Sequence, residues 1–156
     1  MSEDGTIRGF RRHDHGACVA EALAAAEAKC RAEGLRLTPV RRRVLEILLE
    51  GHGAMGAYDV LARLEQEGLG SRPPVAYRAL AFLTEHGFAH RIERLGAYIA
   101  CARPGAAHEP AFLICSGCGT VAEAAARSVL GGPAREAGFR IDTTVVEAEG
   151  LCPACR

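Results

Sequence analysis

The 156-residue sequence predicts an α+β protein in which a winged helix-turn-helix unit precedes a small α/β unit. Three observations lead to this fold class. Apolar stripes at helical spacing, separated by glycines, continue as far as Gly87. Two short apolar runs then surround Leu95-Gly96, and two C-x-x-C pairs mark the last third of the chain. Several helices followed by a hairpin are typical of a winged helix-turn-helix, whereas the remainder mixes strands with one helix.

Helices account for most of the first unit, and each carries a start or stop signal. Thr38 is a good N-cap, and Pro39 suits the first helical position that follows it. The pair Pro73-Pro74 opens the last helix, whose apolar face includes Leu80 and Leu83. The predicted helices cover residues 16–33, 39–50, 57–67 and 73–86, and they end at Gly34, Gly51, Gly68 and Gly87.

The hairpin and the second unit follow from alternation and from turn residues. The runs 88–93 and 97–101 are predicted to form the wing. In the second unit, strands are predicted at 112–115, 120–124 and 139–148, with a helix at 124–137. The predicted divisions are a flexible N-terminus (1–14), a winged-helix domain (15–101), a hinge (102–110) and a last domain (111–156). With fewer than about 50 residues, that last domain is too small to bury enough apolar surface alone. It needs a bound metal ion that cross-links it and a partner subunit.

Two cysteine pairs predict a structural zinc site. Cys115 and Cys118 form one C-x-x-C, and Cys152 and Cys155 form the other. Two residues between the ligands allow a tight turn around one side of an ion, so four thiolates can close a tetrahedral zinc site. The alternative is two disulfides, which an odd total of seven cysteines and a cytoplasmic setting disfavour.

Composition excludes several classes of protein. The formal net charge is zero, so overall charge indicates neither a nucleic-acid-binding tail nor a membrane-surface protein. The N-terminus is polar and lacks the apolar core of an export signal, and no apolar run approaches membrane length. The sequence therefore predicts a cytoplasmic protein without membrane association.

The helix at 73–86 suits the role of a recognition helix, which lies in the major groove of double-stranded DNA. Arg78 lies away from the core face and can donate two hydrogen bonds to a guanine, with Tyr77 beside it. Arg41 is a candidate for phosphate contact, and Tyr58 is a further contact candidate. The alternatives are a solvated arginine and a half-buried packing tyrosine.

Taken together, the segments 36–48, 57–64, 73–93, 112–119 and 150–155 resemble the ferric uptake regulator family of bacterial metal-dependent repressors. The resemblance covers the chain from about residue 20 onward. It implies a homodimer with winged-helix DNA-binding domains, a hinge, and dimerisation domains that hold the four-cysteine zinc. This sequence departs from the family motif P-P-T-V-Y-R, because Val75 and Ala76 stand in place of its threonine and valine. This change puts the details of docking on DNA in question.

Within the family, the zinc uptake regulator branch is the most similar. That resemblance implies a second, sensory zinc, and hence two Zn²⁺ per subunit. The matching positions are His90, Cys101, His108 and Glu123. Two imidazoles, a thiolate and a carboxylate suit tetrahedral zinc better than ferrous iron. Glu109, next to His108, is the alternative carboxylate.

Other readings of these residues stay open. If these two residues do not bind a metal, His90 is a surface histidine and Cys101 is a buried thiol of the wing. The remaining histidines, His13, His15, His52 and His86, are interpreted as solvated, and Cys30 as a core residue. Cys18 with the segment 13–15 (His-Asp-His) is an alternative, weak metal site.

The residues and the family resemblance together predict a zinc-dependent transcriptional repressor that binds an approximately palindromic operator. That the operator controls zinc-uptake genes is implied by the resemblance alone. An iron or peroxide sensor of the same family is the first alternative. A zinc-stapled helix-turn-helix protein without a sensing role is another. A zinc hydrolase or deaminase is disfavoured, because a four-cysteine site is closed and the H-x-E motif is missing. The protein is therefore predicted not to be an enzyme.

Overall fold

The computed structural model describes residues 8–10, 14–104, 108–125 and 128–156, and it contains the two predicted units. The first unit consists of α1 (His15–Glu33), α2 (Pro39–Leu49), α3 (Ala57–Gln66), α4 (Pro73–Glu85) and the hairpin β1 (Ala89–Ile92) and β2 (Ala97–Ala100). The second unit consists of β3 (Pro110–Cys115), β4 (Val121–Ala125), α5 (Gly131–Glu136) and β5 (Glu147–Gly150). Among the described residues, no helix has the length and apolar character needed to cross a bilayer.

The helix boundaries agree with the capping signals in the sequence. The Thr38 hydroxyl accepts a hydrogen bond from the N–H of Arg41 at 3.3 Å, and Pro39 follows it at the first position of α2. Asp14 caps α1 by accepting from the N–H of Ala17 at 3.2 Å. Gly34 ends α1 in the left-handed conformation (φ 66°), which glycine adopts without a steric penalty. The predicted start of α1 at residue 16 was one residue late.

The core of the first unit lies between α2, α3 and α4, with β1 closing one side. Val44, Leu64, Leu80 and Leu83 are completely buried, as their spacing on the helices predicted. Cys30 belongs to the same core with 3% of its surface exposed, which confirms its interpretation as a core residue.

The wing is an antiparallel hairpin, and a third segment pairs with it through a single β-bridge. Ala89 pairs with Ala100, and His90 pairs with Ile99. The backbone groups of Met55 and Tyr98 exchange two hydrogen bonds of 2.8 Å, which attach the α2–α3 loop to β2. The wing is therefore held to the helical core by the α2–α3 loop as well as by its chain connection to α4.

Two predictions for the second unit were wrong. The predicted strand 139–148 is limited to Glu147–Gly150, because only that segment has a sheet edge beside it, in parallel register with 112–115. The predicted helix 124–137 is limited to Gly131–Glu136. Ala124 and Ala125 instead extend β4, where antiparallel pairing with Ala111 and Pro110 outweighs the helical preference of alanine. Residues 126–127 lie outside the described part of the chain.

The two units meet along a junction with its own small core. Ile92 and Ile99 of the wing pack with Phe112, Ile114 and Val121 of the second sheet, whose strand order is β4-β3-β5. The α2–α3 loop adds backbone contacts, because Gly53 bridges Thr120 and the carbonyl of His52 accepts from the N–H of Val121 at 2.7 Å. The structure therefore has a closed arrangement of the two units.

The N-terminal segment predicted to be flexible is described only in part. Arg8–Phe10 form a 3-10 helix that packs against β4, where a side chain at Gly9 would meet the Cβ of Ala122 at 2.9 Å. Residues 1–7 and 11–13, including His13, lie outside the described residues, as do residues 105–107 of the predicted hinge.

Candidate metal centres

The four cysteines of the two C-x-x-C pairs lie together at the end of the second sheet. Cys115 ends β3, and Cys152 follows β5, the parallel neighbour of β3. The four sulfurs, those of Cys115, Cys118, Cys152 and Cys155, all lie within 4.8 Å of one another. The Sγ atoms of Cys118 and Cys152 are 3.8 Å apart. This is the separation of two thiolates on one tetrahedral zinc, about 3.8 Å for bonds of about 2.3 Å, and is far from a disulfide bond of about 2.05 Å.

Backbone donors prepare one of these sulfurs to be a thiolate. The N–H groups of Cys152 and Cys118 donate to Cys115 at 3.3 and 3.5 Å, and they lower the pKa of its thiol to about 6. Hydrogen bonds with Cys152, Cys115 and Cys118 raise the pKa of Cys155 to about 12. Four thiolates at this spacing repel one another, so a bound cation has to take the place of the protons. The donor set therefore fits a closed site for zinc.

A second set of four metal-ligating side chains lies at the junction of the two units. His90 is on β1, and Cys101 directly follows β2, so the hairpin places both on one side of the wing. His108 precedes β3, and Glu123 is on β4, where it pairs in register with Phe112. The four potential ligand atoms all lie within 4.8 Å of one another. The wing, the linker and the second sheet each contribute to this group, which we call the junction quartet.

The distances in the junction quartet suit a four-coordinate ion. The Sγ of Cys101 lies 3.6 Å from His108 Nε2 and 3.9 Å from Glu123 Oε1. His108 Nε2 is 2.5 Å from the same carboxylate oxygen, and His90 Nε2 is 3.5 Å from it. Ligands of tetrahedral zinc are separated by about 3.3–3.8 Å, given bonds of about 2.0–2.3 Å. An entering ion would therefore replace the direct contact between His108 and Glu123.

The electrostatics of the junction quartet also fit a cation. Nε2 of His90 is buried, and its 3.5 Å contact with Glu123 Oε1 is too poor in geometry to be the hydrogen bond that a lone pair or an N–H there needs. Burial, and then the charge of Glu123, raise the pKa of Cys101 to about 12. Burial alone would raise the pKa of Glu123 as well, but His90 and the Ala102 N–H hold it below its ordinary value. A divalent ion would satisfy the histidine and compensate a buried thiolate beside a carboxylate.

The sequence left two candidates for the carboxylate ligand, Glu123 and Glu109, and the fold distinguishes between them. Only 5% of the Glu123 side chain is exposed, and Oε2 accepts from the Ala102 N–H at 2.8 Å. Glu109 is exposed, and it accepts from the Ser128 N–H at 3.2 Å. Glu123 is therefore the carboxylate that lies with the other three candidate ligands.

Three of the four predicted DNA contacts are exposed on α3 and α4, and the fourth, Arg41, is partly buried on α2. Tyr77 and Arg78 are exposed on α4, and the ring of Tyr58 on α3 packs edge-on against Tyr77 with centroids 6.4 Å apart. Arg41 stacks over Phe82 at 3.9 Å and donates to a backbone carbonyl, so its guanidinium is held in place. These four positions stay predictions for contact with DNA.

Two features of the site were missed by the sequence reasoning. Glu147 on β5 accepts hydrogen bonds from the N–H groups of Glu93 and Arg94 at 2.6 and 2.9 Å, and Arg94 also pairs with Glu149 at 2.6 Å. This contact ties the wing turn to the second sheet, and no local signal in the sequence indicates it. His15, His52 and His86 were wrongly interpreted as solvated, because all three are partly buried. The rings of His15 and His52 pack together, and that of His86 packs on Phe82.

Comparison with known proteins gives consistent results. A family model described as the ferric uptake regulator family matches residues 32–148. The zinc uptake regulation protein of Escherichia coli (strain K12) is 40% identical over 141 residues, which are 86% of this chain and 81% of that protein.

Solved structures of zinc uptake regulators have the same fold. One, complexed with zinc and DNA, is 39% identical with a TM-score of 0.82, over 87% of this chain and 93% of that chain. Holo XcZur is 36% identical with a TM-score of 0.78, over 86% and 96% of the two chains. Apo XcZur has the same identity, over 89% and 98% of the chains, but its TM-score is 0.52. The closed arrangement of the two units therefore resembles the holo form more than the apo form.

Proposed function

Because the chain belongs to the ferric uptake regulator family, we propose that it is a zinc-dependent, DNA-binding transcriptional repressor that controls zinc-uptake genes. The family is one of transcriptional regulators, so the prediction that the chain is not an enzyme is confirmed. We infer two zinc ions per subunit. One is structural and bound by the four cysteines, and the other is sensory and bound by the junction quartet.

One observation carries the proposal, namely that the junction quartet draws its ligands from both sides of the hinge. His90 and Cys101 belong to the wing of the unit that we propose to be the DNA-binding domain (15–101), whereas Glu123 is on β4, in the unit that we propose to be the dimerisation domain (111–156). His108 lies in the hinge (102–110) between them. These side chains can share one ion only when wing and second sheet are together, so occupancy selects one domain orientation.

The size of the effect follows from differential affinity. If the closed orientation binds zinc about 10²–10³-fold better than open ones, binding stabilises it by roughly 3–4 kcal/mol, since each factor of ten is about 1.4 kcal/mol. The greater likeness to holo XcZur than to apo XcZur supports this reading of the closed arrangement. DNA that prefers the closed orientation would strengthen zinc binding by the same factor.

On the DNA side, we propose α4 as the recognition helix. Tyr77 and Arg78 would reach base edges, Tyr58 would contact DNA beside them, and Arg41 would hold a phosphate. The neighbouring Arg43 is less available for this role, because its guanidinium is bonded to Glu67 and Glu46.

A homodimer would present two such helices to an approximately palindromic operator in the cytoplasm, with half-sites about one helical turn apart or a multiple of it. The second unit supports this, because its described residues include six exposed, large apolar side chains: Val129, Leu130, Phe139, Val145, Val146 and Leu151. Covering them in a dimer would remove them from water.

The main alternative within the family is a sensor of iron or peroxide. The buried sulfur of Cys101 argues for zinc, because thiolate ligands are soft and ferrous sites favour histidine and carboxylate. Metal analysis of the purified dimer discriminates between these signals, with up to two zinc ions per subunit expected for the two quartets.

The proposal is tested by a gel-shift selection from random duplex DNA, with free zinc buffered over its full range. We expect the wild-type protein to select a palindromic sequence and to bind it about 10²–10³-fold more tightly with zinc. Cys101→Ala should remain a folded dimer and lose this zinc response. An unchanged zinc response in Cys101→Ala would show that the sensory assignment is wrong.

A further inference from the structure

A cavity of about 440 Å³ lies between α1, the loop after α2, the hinge and β4. Part of its lining comes from the junction quartet, namely Cys101, His108 and Glu123. Another part comes from side chains that the proposed function does not use: His15, Cys18 and Glu21 of α1, and His52 of the α2–α3 loop. All four are types of residue that bind borderline metal ions.

His15 and His52 are brought together from distant parts of the sequence. Their ring centroids are 4.9 Å apart and the ring planes are inclined at 65°. Both ring nitrogens of His15 are buried. Two imidazoles at this distance can turn their nitrogens toward a common point, as adjacent ligands of one ion do.

Cys18 completes the cluster from the same side of α1. Residues three apart on a helix are neighbours on one face, with Cβ atoms about 5–6 Å apart, so Cys18 shares a face of α1 with His15, and both line the cavity. Glu21 is one further step of three along that face and lines the same cavity, so its carboxylate can occupy a fourth position.

We propose that His15, Cys18 and His52 form a third zinc site, separate from the two quartets and independent of the proposed regulatory function. The two imidazoles and the thiolate supply three ligands, and Cys18 gives up its proton to solvent when it binds. The fourth position takes the Glu21 carboxylate or a water molecule. This set is the chemistry of Zn²⁺ rather than of Mg²⁺ or Ca²⁺, which require oxygen ligands.

This site is weaker than the quartets. Among the described residues, only the two quartets bring three or more ligand atoms within 4.8 Å of one another. The side chains of His15, Cys18 and His52 must therefore rotate inward before they share an ion, and that reorganisation lowers the affinity.

The location gives the third site a structural consequence. The backbone of the α2–α3 loop is bonded to the second sheet at His52 and Gly53, so an ion shared with α1 fastens the N-terminal helix to the domain junction. Filling the site is therefore expected to make α1 more resistant to opening when the junction is closed.

The test is the zinc stoichiometry of the full-length protein, measured by native mass spectrometry while free zinc is raised. We expect wild-type protein to take up a third zinc per chain at higher free zinc than the first two. His52→Ala and Cys18→Ser should each stop at two, and His86→Ala, which changes a histidine packed on Phe82, should still reach three. Circular dichroism verifies that each variant is folded.

The proposal is overturned if wild-type protein saturates at two zinc ions, or if either His52→Ala or Cys18→Ser reaches three. Zinc-dependent DNA binding, measured on the same samples, separates this outcome from a failure of the proposed function. That binding should persist in His52→Ala and Cys18→Ser, since neither changes the junction quartet.

Discussion

The contact between Glu147 and the wing turn allows a strict test of the closed arrangement. Its carboxylate accepts from the N–H groups of Glu93 and Arg94 at 2.6 and 2.9 Å, and it is not a member of the junction quartet. Glu147→Ala removes both hydrogen bonds but leaves the backbone pairing of β5 with β3 intact. The variant therefore changes the domain arrangement without changing the metal ligands.

The magnitude follows from the geometry and the exposure of this contact. A hydrogen bond to a charged group contributes about 1.5–3 kcal/mol when well shielded, and the two at Glu147 are exposed to solvent. With that discount the pair contributes about 1–2 kcal/mol to the closed arrangement. Loss of this stabilisation reduces the closed population about 5–30-fold, and the apparent zinc affinity falls by the same factor if the zinc-free protein is mostly open.

The assay is fluorescence anisotropy with labelled operator DNA and buffered zinc. We expect the zinc midpoint for Glu147→Ala to move about 5–30-fold upward while the plateau at saturating zinc is unchanged. Glu136→Gln, at the exposed end of α5, is the matched control and should behave as wild type. A midpoint within about twofold of wild type would refute the reasoning that this contact stabilises the closed state.

Two further predictions concern stability. Cys115→Ala should unfold the second unit and abolish the dimer, because structural zinc supplies folding energy; circular dichroism and gel filtration check this, and a stable dimer would contradict it. Arg43 donates to Glu67 at 2.6 Å and lowers the pKa of that carboxyl. The stability from this pair is complete above the ordinary carboxyl pKa of about 4.3 and is lost as the pH falls through the lowered value. Arg43→Met should therefore lower the Tm at pH 7, and its difference from wild type should shrink toward pH 3 in thermal melts. A difference that is constant with pH would exclude this pair as the cause.

Local signals account for the part of the fold that was predictable. The Thr38 cap, the Pro73-Pro74 start and the glycine stops act within one helical turn, so they can be recognised without the rest of the chain. The C-x-x-C pairs are local in the same sense, because two intervening residues determine the turn around a metal. The junction quartet had no such local spacing, and it was identified from the resemblance to a family.

The errors occurred where the partner is distant in sequence. Residues 139–148 alternate like a strand, yet only Glu147–Gly150 find a free edge of β3. Ala124 and Ala125 favour helix locally, yet antiparallel pairing holds them in β4. His15 has no local feature that predicts packing against His52.

The sequence by itself determined, to within one or two residues, where the four helices of the first unit begin and end, which thiols can share an ion, and which side chains of α4 face away from the core. Only the tertiary structure decided that the carboxylate of Glu123, and not that of Glu109, contacts the imidazole of His108, and that Glu147 bonds to the wing turn. The physical reason is the separation along the chain of the residues that interact. Caps, turns and helical faces depend on bonds a few residues apart, whereas the domain junction depends on how separately formed units pack.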